Sequence, residues 1–298
     1  MSADTPPLST RIAHYTSNLI IVGLIRFALL IPYEKRVPMM GWLVSHVIAP
    51  IAGWRRRVRR NLAYVLPDLP KAEVERLARA VPDNAGRTLI EIYSGQEMVD
   101  RAIRAPVTGP GLAKLEAARA AGRPVILVTG HMGNYTAARA ALMHRGHMMG
   151  GLYRRMSNAY FNTHYVAAME KTGKPMFEQG RKGMVEMVRH LKGGGVLGIL
   201  TDLHFGAGEK LDFFGKPAAT SLVTAELALK FDAAMIPVYG LRAANGLDFE
   251  IVMQDEIAHT DPVTMTQQVN DGLEQLVRLH MDQWFWIHRR WKVDPKAA

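Results

Sequence analysis

The 298-residue sequence contains no cysteine. That excludes a disulfide scaffold, a thiol nucleophile and any Cys-ligated metal site, and it fits a reducing compartment. Several signatures are missing too. There is no GxxxxGK[ST] phosphate loop and no credible GxGxxG; "GPG" at 109 and "GGG" at 193 read as helix-end turns. No GxSxG elbow surrounds a serine, and Ser94, Ser157 and Ser221 lie in no nucleophile setting. His131, Asp202 and His204 offer ligand types without HxxxH or HExxH spacing, so no metal site is expected. No apolar run reaches the roughly 20 residues of a clean transmembrane helix. A signal peptide fits poorly, because little but Arg11 is basic before the first run and no small-x-small cleavage site follows it. Repeats and low-complexity segments are absent.

What is present is apolar and basic. Hydrophobic residues make up 48%, enough for a sizeable core, and the formal net charge is +10. Such a balance favours an anionic partner. The densest basic run, Trp54 to Arg60, follows two apolar stretches, 18–32 and 41–54. That arrangement points to a membrane surface, and no nucleic-acid partner is expected. The bland alternative is a solvated helix face. The apolar stretches read as interfacial or re-entrant helices, with Trp42 and Trp54 at headgroup level and the arginines on anionic lipid. A short tilted span over 17–33 and a hairpin packed on the protein's own core are the other readings. The expected organisation is an N-terminal apolar helical membrane-associating region, 1–54, followed by an α/β domain, 55–298.

Residues 55–104 read as helical, punctuated by Pro67, Pro70 and Pro82. From 106 onward strands and helices alternate. "PVILVTG", "MMGGLYR", "KPMF", "GVLGILTD", "AMIPVYGLRA" and "LDFEIVMQ" read as strands, with an irregular loop reaching 216, a helix over 220–231 and a final helix over 262–282. This is the pattern of a mainly parallel central sheet flanked by helices.

Ligands in open α/β sheets collect beyond the carboxyl ends of strands. Three segments deliver polar groups there: Gly130 to Asn134, Tyr153-Arg154-Arg155, and Thr201 to Gly206. His131 is the expected general base. Gly133 allows close approach to the backbone, and free N–H groups at the helix start beyond Asn134 are candidates for holding an oxyanion. Arg154 and Arg155 suit phosphate or carboxylate. Arg181 and Lys182 open a helix against its macrodipole, a weak sign of a nearby anion. Asp202 and His204 are a candidate pair. The aromatic and cationic "MDQWFWIHRRWK" reads as a structural clasp or an interfacial belt, with Arg289 and Arg290 stacked on tryptophans.

These segments carry a family likeness. Through "RRNLAYVLPDLP", "GHMGNY", "LYRRMSNAYFN", "QGRKGMVEMVRHLKGGGVLGILTDLHFG", "FFGKPAAT", "MIPVYGLR" and "QWFWIHRRWK", the chain resembles the bacterial lipid A biosynthesis acyltransferases. That family is also called the lauroyl/myristoyl acyltransferases, within the lysophospholipid acyltransferases. The resemblance implies an acyltransferase at the cytoplasmic face of the bacterial inner membrane. It would move a fatty acyl chain from acyl carrier protein or coenzyme A to a lipid hydroxyl, with no cofactor beyond that co-substrate. His131 matches the family's histidine, and Gly133, Asn134, Arg154 and Arg155 fall among its substrate-binding segments, with Arg181 nearby. Asp202, Phe214, Gly215 and Thr220 match the third block and Pro237 the fourth. The family's carboxylate, five positions after the histidine, is Thr136 here. Three readings follow. Another acid, Asp202 or Glu91, reaches His131; or the Thr136 hydroxyl orients it; or the chain is an impaired, lipid-binding relative. The rebuilt dyad is the favoured reading, and the departure leaves a lipid A precursor, a lysophospholipid or a lyso-aminolipid as acceptor.

Overall fold

A computed structural model describes residues 7–292. Residues 1–6 and 293–298, the outer ends of the two regions expected from sequence, lie outside the described residues. The centre is a seven-stranded sheet in the order β1-β9-β8-β2-β5-β3-β4. Its strands are β1 (Val107–Thr108), β2 (Val125–Thr129), β3 (Met149–Tyr153), β4 (Met176–Glu178), β5 (Val196–Leu200), β8 (Ala234–Arg242) and β9 (Phe249–Met253). Every pairing is parallel except β8 with β9. The strand alternation explains why these runs are apolar throughout. Val125 and Leu127 enter one core with Ala137 and Ala141 of the helix Tyr135–His144, while Ile126 and Val128 enter another with Met187 and Leu191 of the helix Arg181–Lys192. Both faces are covered, so no polar alternation is needed.

Three elements depart from expectation. The stretch read as irregular contains an antiparallel hairpin, β6 (Glu209–Phe213) and β7 (Lys216–Thr220). Its turn places Phe214 at φ 60° and Gly215 at φ 68°. That left-handed pair suits a tight hairpin, and the Phe214 ring is buried among Phe213, Trp286 and Trp291. Packing and a Phe214 N–H bond to the Glu274 carboxylate hold a residue there that turn propensity would not choose. Pro82 does not end a helix; it lies inside Lys71–Tyr93. Ser45 Oγ donates to the Arg79 carbonyl one turn before it at 2.7 Å, an outside partner for backbone in the turn that the proline disturbs.

The third departure is N-terminal. One helix, Leu8–Leu29, begins ten residues before the apolar run and is long and apolar enough to cross a membrane. In its early turns hydroxyls fold back onto the helix backbone, Thr16 onto the Ile12 carbonyl at 2.9 Å and Ser17 onto that of His14 at 3.0 Å. Asn18, Ile25 and Ala28 are buried, and Leu19, Ile20, Leu24 and Phe27 are exposed. The second apolar stretch runs through Tyr33–Leu43, a π-helical turn Val44–Ile48 and Ala49–Ile51, then bends by 83° into Trp54–Val65. Gly53, at φ 68°, makes the bend. Trp42 is exposed, whereas Trp54 packs against the core of Val58 and Leu62. The arginine run is partly internal: Arg55 donates to the Ser45 carbonyl, Arg57 to that of Ile287, and Arg59 pairs with Glu75.

Candidate active site

β2 and β5 are neighbours in register, Thr129 facing Leu200, so the residues following them meet at one sheet edge. His131 follows β2 and Asp202 follows β5. The His131 Nδ1 lies 2.8 Å from Asp202 Oδ1, and the His131 backbone N–H donates to Oδ2 at 2.8 Å. The Trp284 indole N–H donates to the same Oδ2 at 3.0 Å. Gly130 leaves room for this: a Cβ there would stand 3.2 Å from Asp202 Oδ2. Burial pushes the Asp202 carboxyl up, but the facing His131 and the ring, backbone and indole donors outweigh it and hold the carboxyl at about 2. An ionised Asp202 fixes the proton of neutral His131 on Nδ1 and leaves Nε2 as the basic atom. Among the described residues Nε2 has no hydrogen-bond partner, and the His131 side chain is one-quarter exposed.

The turn after His131 is held by the protein itself. Gly133, at φ 51°, lies so close to β8 that a Cβ would stand 2.2 Å from the Gly240 carbonyl oxygen. The glycine therefore serves close approach of the protein's own backbone, and it also lines the groove beside His131. Most N–H groups of the turn and the helix start are occupied. Gly133 donates to the Gln283 carbonyl at 2.9 Å and Asn134 to that of Gly240 at 2.7 Å. Asn134 Oδ1 caps the helix, accepting from the N–H groups of Thr136 and Ala137. Thr136 is buried and its hydroxyl donates to Asn134 Oδ1 at 2.5 Å. The structure does not bring Thr136 to the imidazole. Glu91 does not reach His131 either; it accepts from Asn134 Nδ2 at 2.8 Å and pairs with Arg242.

A groove of about 260 Å³ opens beside His131. Val81, Ala85, Leu89 and Ile92 of the helix Lys71–Tyr93 form one wall, and Tyr135, Tyr165, Trp284 and Phe285 another, with Asn84, Thr88 and Gln283 as polar groups. The other expected site residues lie elsewhere. Arg154 and Arg155 are exposed beyond β3, and Arg181 is exposed at the start of its helix beyond β4; these share the carboxyl edge of the sheet with His131 but do not line the groove. Phe214 and Gly215 form the hairpin turn, and Thr220 is buried, its hydroxyl accepting from Arg290 at 2.7 Å and donating to the Ala218 carbonyl at 2.8 Å. Pro237 sits within β8 opposite Val128. His204 does not pair with Asp202. Its Nδ1 faces the Arg290 carbonyl at 3.2 Å, and its N–H donates to His288 Nε2 at 2.8 Å. Burial depresses His288 to about 4, consistent with an acceptor nitrogen.

Trp284, Arg242, Asn84, Thr88 and Gln283 were not foreseen. The C-terminal run was legible as a clasp: Trp284, Trp286 and Trp291 pack on one another and on Phe213. Its arginine differs from expectation, because Arg290 lies over the Phe213 ring, 5.5 Å from the centroid, rather than on a tryptophan.

A family model described as bacterial lipid A biosynthesis acyltransferase matches residues 7–293. The chain is 25% identical to a phosphatidylinositol mannoside acyltransferase of Mycobacterium tuberculosis over 81% of this chain and 78% of that one. It is 23% identical to the lipid A biosynthesis lauroyltransferase of Escherichia coli over 99% and 98% of the two. A lipid A biosynthesis acyltransferase 2 of Shigella flexneri is 26% identical over 92% and 88%.

Proposed function

The chain belongs to the bacterial lipid A biosynthesis acyltransferase family and is an acyltransferase, and from that premise we propose that His131 and Asp202 transfer a fatty acyl chain from a thioester to a lipid hydroxyl. His131 Nε2 takes the hydroxyl proton as the oxygen attacks the thioester carbonyl. The tetrahedral intermediate collapses, the C–S bond breaks, and the leaving thiolate recovers the proton from the imidazolium. An ester and a free thiol result. Asp202 keeps the proton of the resting ring on Nδ1 and stabilises the imidazolium. The groove beside His131 is apolar enough to hold an acyl chain. The single observation that carries this reading is the 2.8 Å contact between His131 Nδ1 and a buried, ionised Asp202. It answers the missing carboxylate at position 136 and favours a working enzyme over an impaired one.

The donor in this reading is acyl carrier protein or coenzyme A; an acidic carrier suits a net charge of +10. The acceptor is a membrane lipid: a lipid A precursor, a lysophospholipid or a lyso-aminolipid. The Mycobacterium tuberculosis relative is named for a phosphatidylinositol mannoside, which supports keeping the headgroup open. The enzyme would work at the cytoplasmic face of the inner membrane, with the exposed apolar residues of Leu8–Leu29 in lipid. The test is thiol release from dodecanoyl thioesters of carrier protein and of coenzyme A, with each acceptor class in vesicles. Release is expected only with an acceptor hydroxyl present, and His131→Ala is expected to abolish it. Normal turnover in that variant overturns the reading.

A further inference from the structure

Beneath the catalytic turn lies a second buried carboxylate that touches no reacting atom. Glu91 is fully buried and Arg242 nearly so. Arg242 Nη1 donates to Glu91 Oε1, and Nη2 donates to Oε2 at 2.8 Å. Arg242 Nη1 also donates to the Gly246 carbonyl at 3.2 Å and the Tyr33 hydroxyl to Glu91 Oε1 at 3.4 Å; the other hydrogen bonds of this pair go to the turn or to its supports. Asn134 Nδ2 donates to Glu91 Oε2 at 2.8 Å. Arg242 Nε donates to Asn84 Oδ1 at 2.9 Å and Nη2 to Thr88 Oγ1 at 3.3 Å. Asn84 and Thr88 both donate in turn to the Gly133 carbonyl, at 3.3 and 2.8 Å. Glu91 thus directly holds Asn134, three residues past His131, and Arg242 holds Gly133, two residues past it, through Asn84 and Thr88.

We propose, resting on the reading of His131 as the base, that Glu91 is the positioning carboxylate of the turn that carries it. The argument turns on the Asn134 amide. One end meets an acceptor-only carboxylate, so Nδ2 must face Glu91 and Oδ1 must face the helix. That leaves Oδ1 to take three donors, the Thr136 and Ala137 N–H groups and the Thr136 hydroxyl. A neutral partner in place of Glu91 would remove the charge that holds Nδ2 on its side and would loosen the cap. Position 136 is then the wrong place for an acid: a carboxylate there would replace the hydroxyl donor with an acceptor facing Oδ1, one amide away from Glu91. The negative charge of this corner comes from the helix Lys71–Tyr93, not from the turn. Helix 71–93 also walls the groove, so the same element shapes the cleft and sets the turn at its edge.

The experiment separates positioning from plain stability. Asn134→Ser keeps a capping oxygen but is too short to replace the amide's N–H bond to Glu91. Glu91→Gln keeps the shape without the charge. Glu91→Leu/Arg242→Met removes both charges, so no buried ion is left unpaired. Each is assayed by thiol release from a dodecanoyl thioester, well below its own unfolding midpoint, beside His131→Ala. The expected result for Asn134→Ser and Glu91→Gln is a kcat at least about tenfold down with KM for the thioester within about twofold. The apolar double variant regains its unfolding midpoint relative to Glu91→Gln while its kcat stays low. Wild-type kcat in Asn134→Ser overturns the proposal, whether or not the other variants fold. So does an apolar double variant that recovers kcat with its midpoint. Turnover in His131→Ala would instead remove the catalytic reading beneath it.

Discussion

Asp202 holds His131 twice: Oδ1 meets the ring at Nδ1 and Oδ2 accepts the backbone N–H, each at 2.8 Å. One carboxylate therefore fixes both the tautomer and the place of the ring. It comes from the neighbouring strand rather than from the next helical turn. Through Trp284 it is also tied to the aromatic clasp near the C-terminus.

Asp202→Asn should keep the shape and lose the charge. An amide can accept at Nδ1 but cannot stabilise an imidazolium as an anion does, and removing such a partner costs about 10⁴ in the serine-protease template. The expected kcat is lower by roughly 10² to 10⁴, and wild-type turnover would exclude the dyad. The stability has a sign as well. The folded carboxyl sits at about 2, below its ordinary 3.8. Its contribution, about 2 kcal/mol, is complete above the ordinary value and disappears as pH falls through the folded one. Unfolding midpoints of wild type should therefore drop between about pH 4 and pH 2 by more than those of Asp202→Asn.

Trp284→Phe tests the third donor. The ring still packs on Phe213 and Trp286, but Oδ2 loses the indole N–H. A hydrogen bond to a charged group contributes about 1.5–3 kcal/mol. The variant should be less stable by about that amount at neutral pH. Its acid-induced loss should be smaller, because the Asp202 carboxyl moves back up toward its ordinary value. A drop of about tenfold in kcat is expected from a looser carboxylate. An unchanged acid profile by differential scanning fluorimetry would mean that the indole contact does not hold Asp202 ionised.

The N-terminal helix makes a separate prediction. Ile20 and Leu24 are 64% and 57% exposed, on a helix that also meets the helix Ala159–Glu170 through its capping residue Asn158, which donates to the His14 carbonyl. Ile20→Asp/Leu24→Asp places two charges in the apolar face, about 2.5–3.5 kcal/mol each at the centre of a spanning helix. Flotation with anionic vesicles should show the variant leaving the lipid fraction, with turnover on a detergent-dispersed acceptor retained. Unchanged flotation would locate membrane binding elsewhere.

The strand, turn and helix around His131 were legible because "VILVT" is β-branched and "GHMGN" breaks it with a glycine and a capping asparagine. The partner of His131 was legible only as one of two acids. Asp202 lies 71 positions away, and its contact depends on β5, not β3, lying beside β2. Strand order is set by how the helices cross over and pack, which local periodicity does not encode. The same holds for Trp284 and Arg242, which reach the site from still later in the chain. Phe214 and Thr220 matched conspicuous sequence blocks yet serve the hairpin and the Arg290 clasp.

Thr136 is the sharpest case, since the sequence leaves it between catalytic group and defect. Its hydroxyl is committed to Asn134 Oδ1 at 2.5 Å, and the residue is buried. Thr136→Val keeps the volume and branching and deletes one hydrogen bond, which contributes about 1 kcal/mol. Turnover should stay within about threefold of wild type, with a slightly lower unfolding midpoint. Thr136→Glu should do worse on both counts. Its carboxylate would face Asn134 Oδ1, with Glu91 on the other side of the same amide. A buried acceptor left unpaired costs about 1–3 kcal/mol, more when charged. Restoring the family's acid should therefore lower activity, not raise it. If Thr136→Glu instead gains turnover over wild type, the turn is built to take its charge from position 136, and Asp202 is a lesser partner than its geometry indicates.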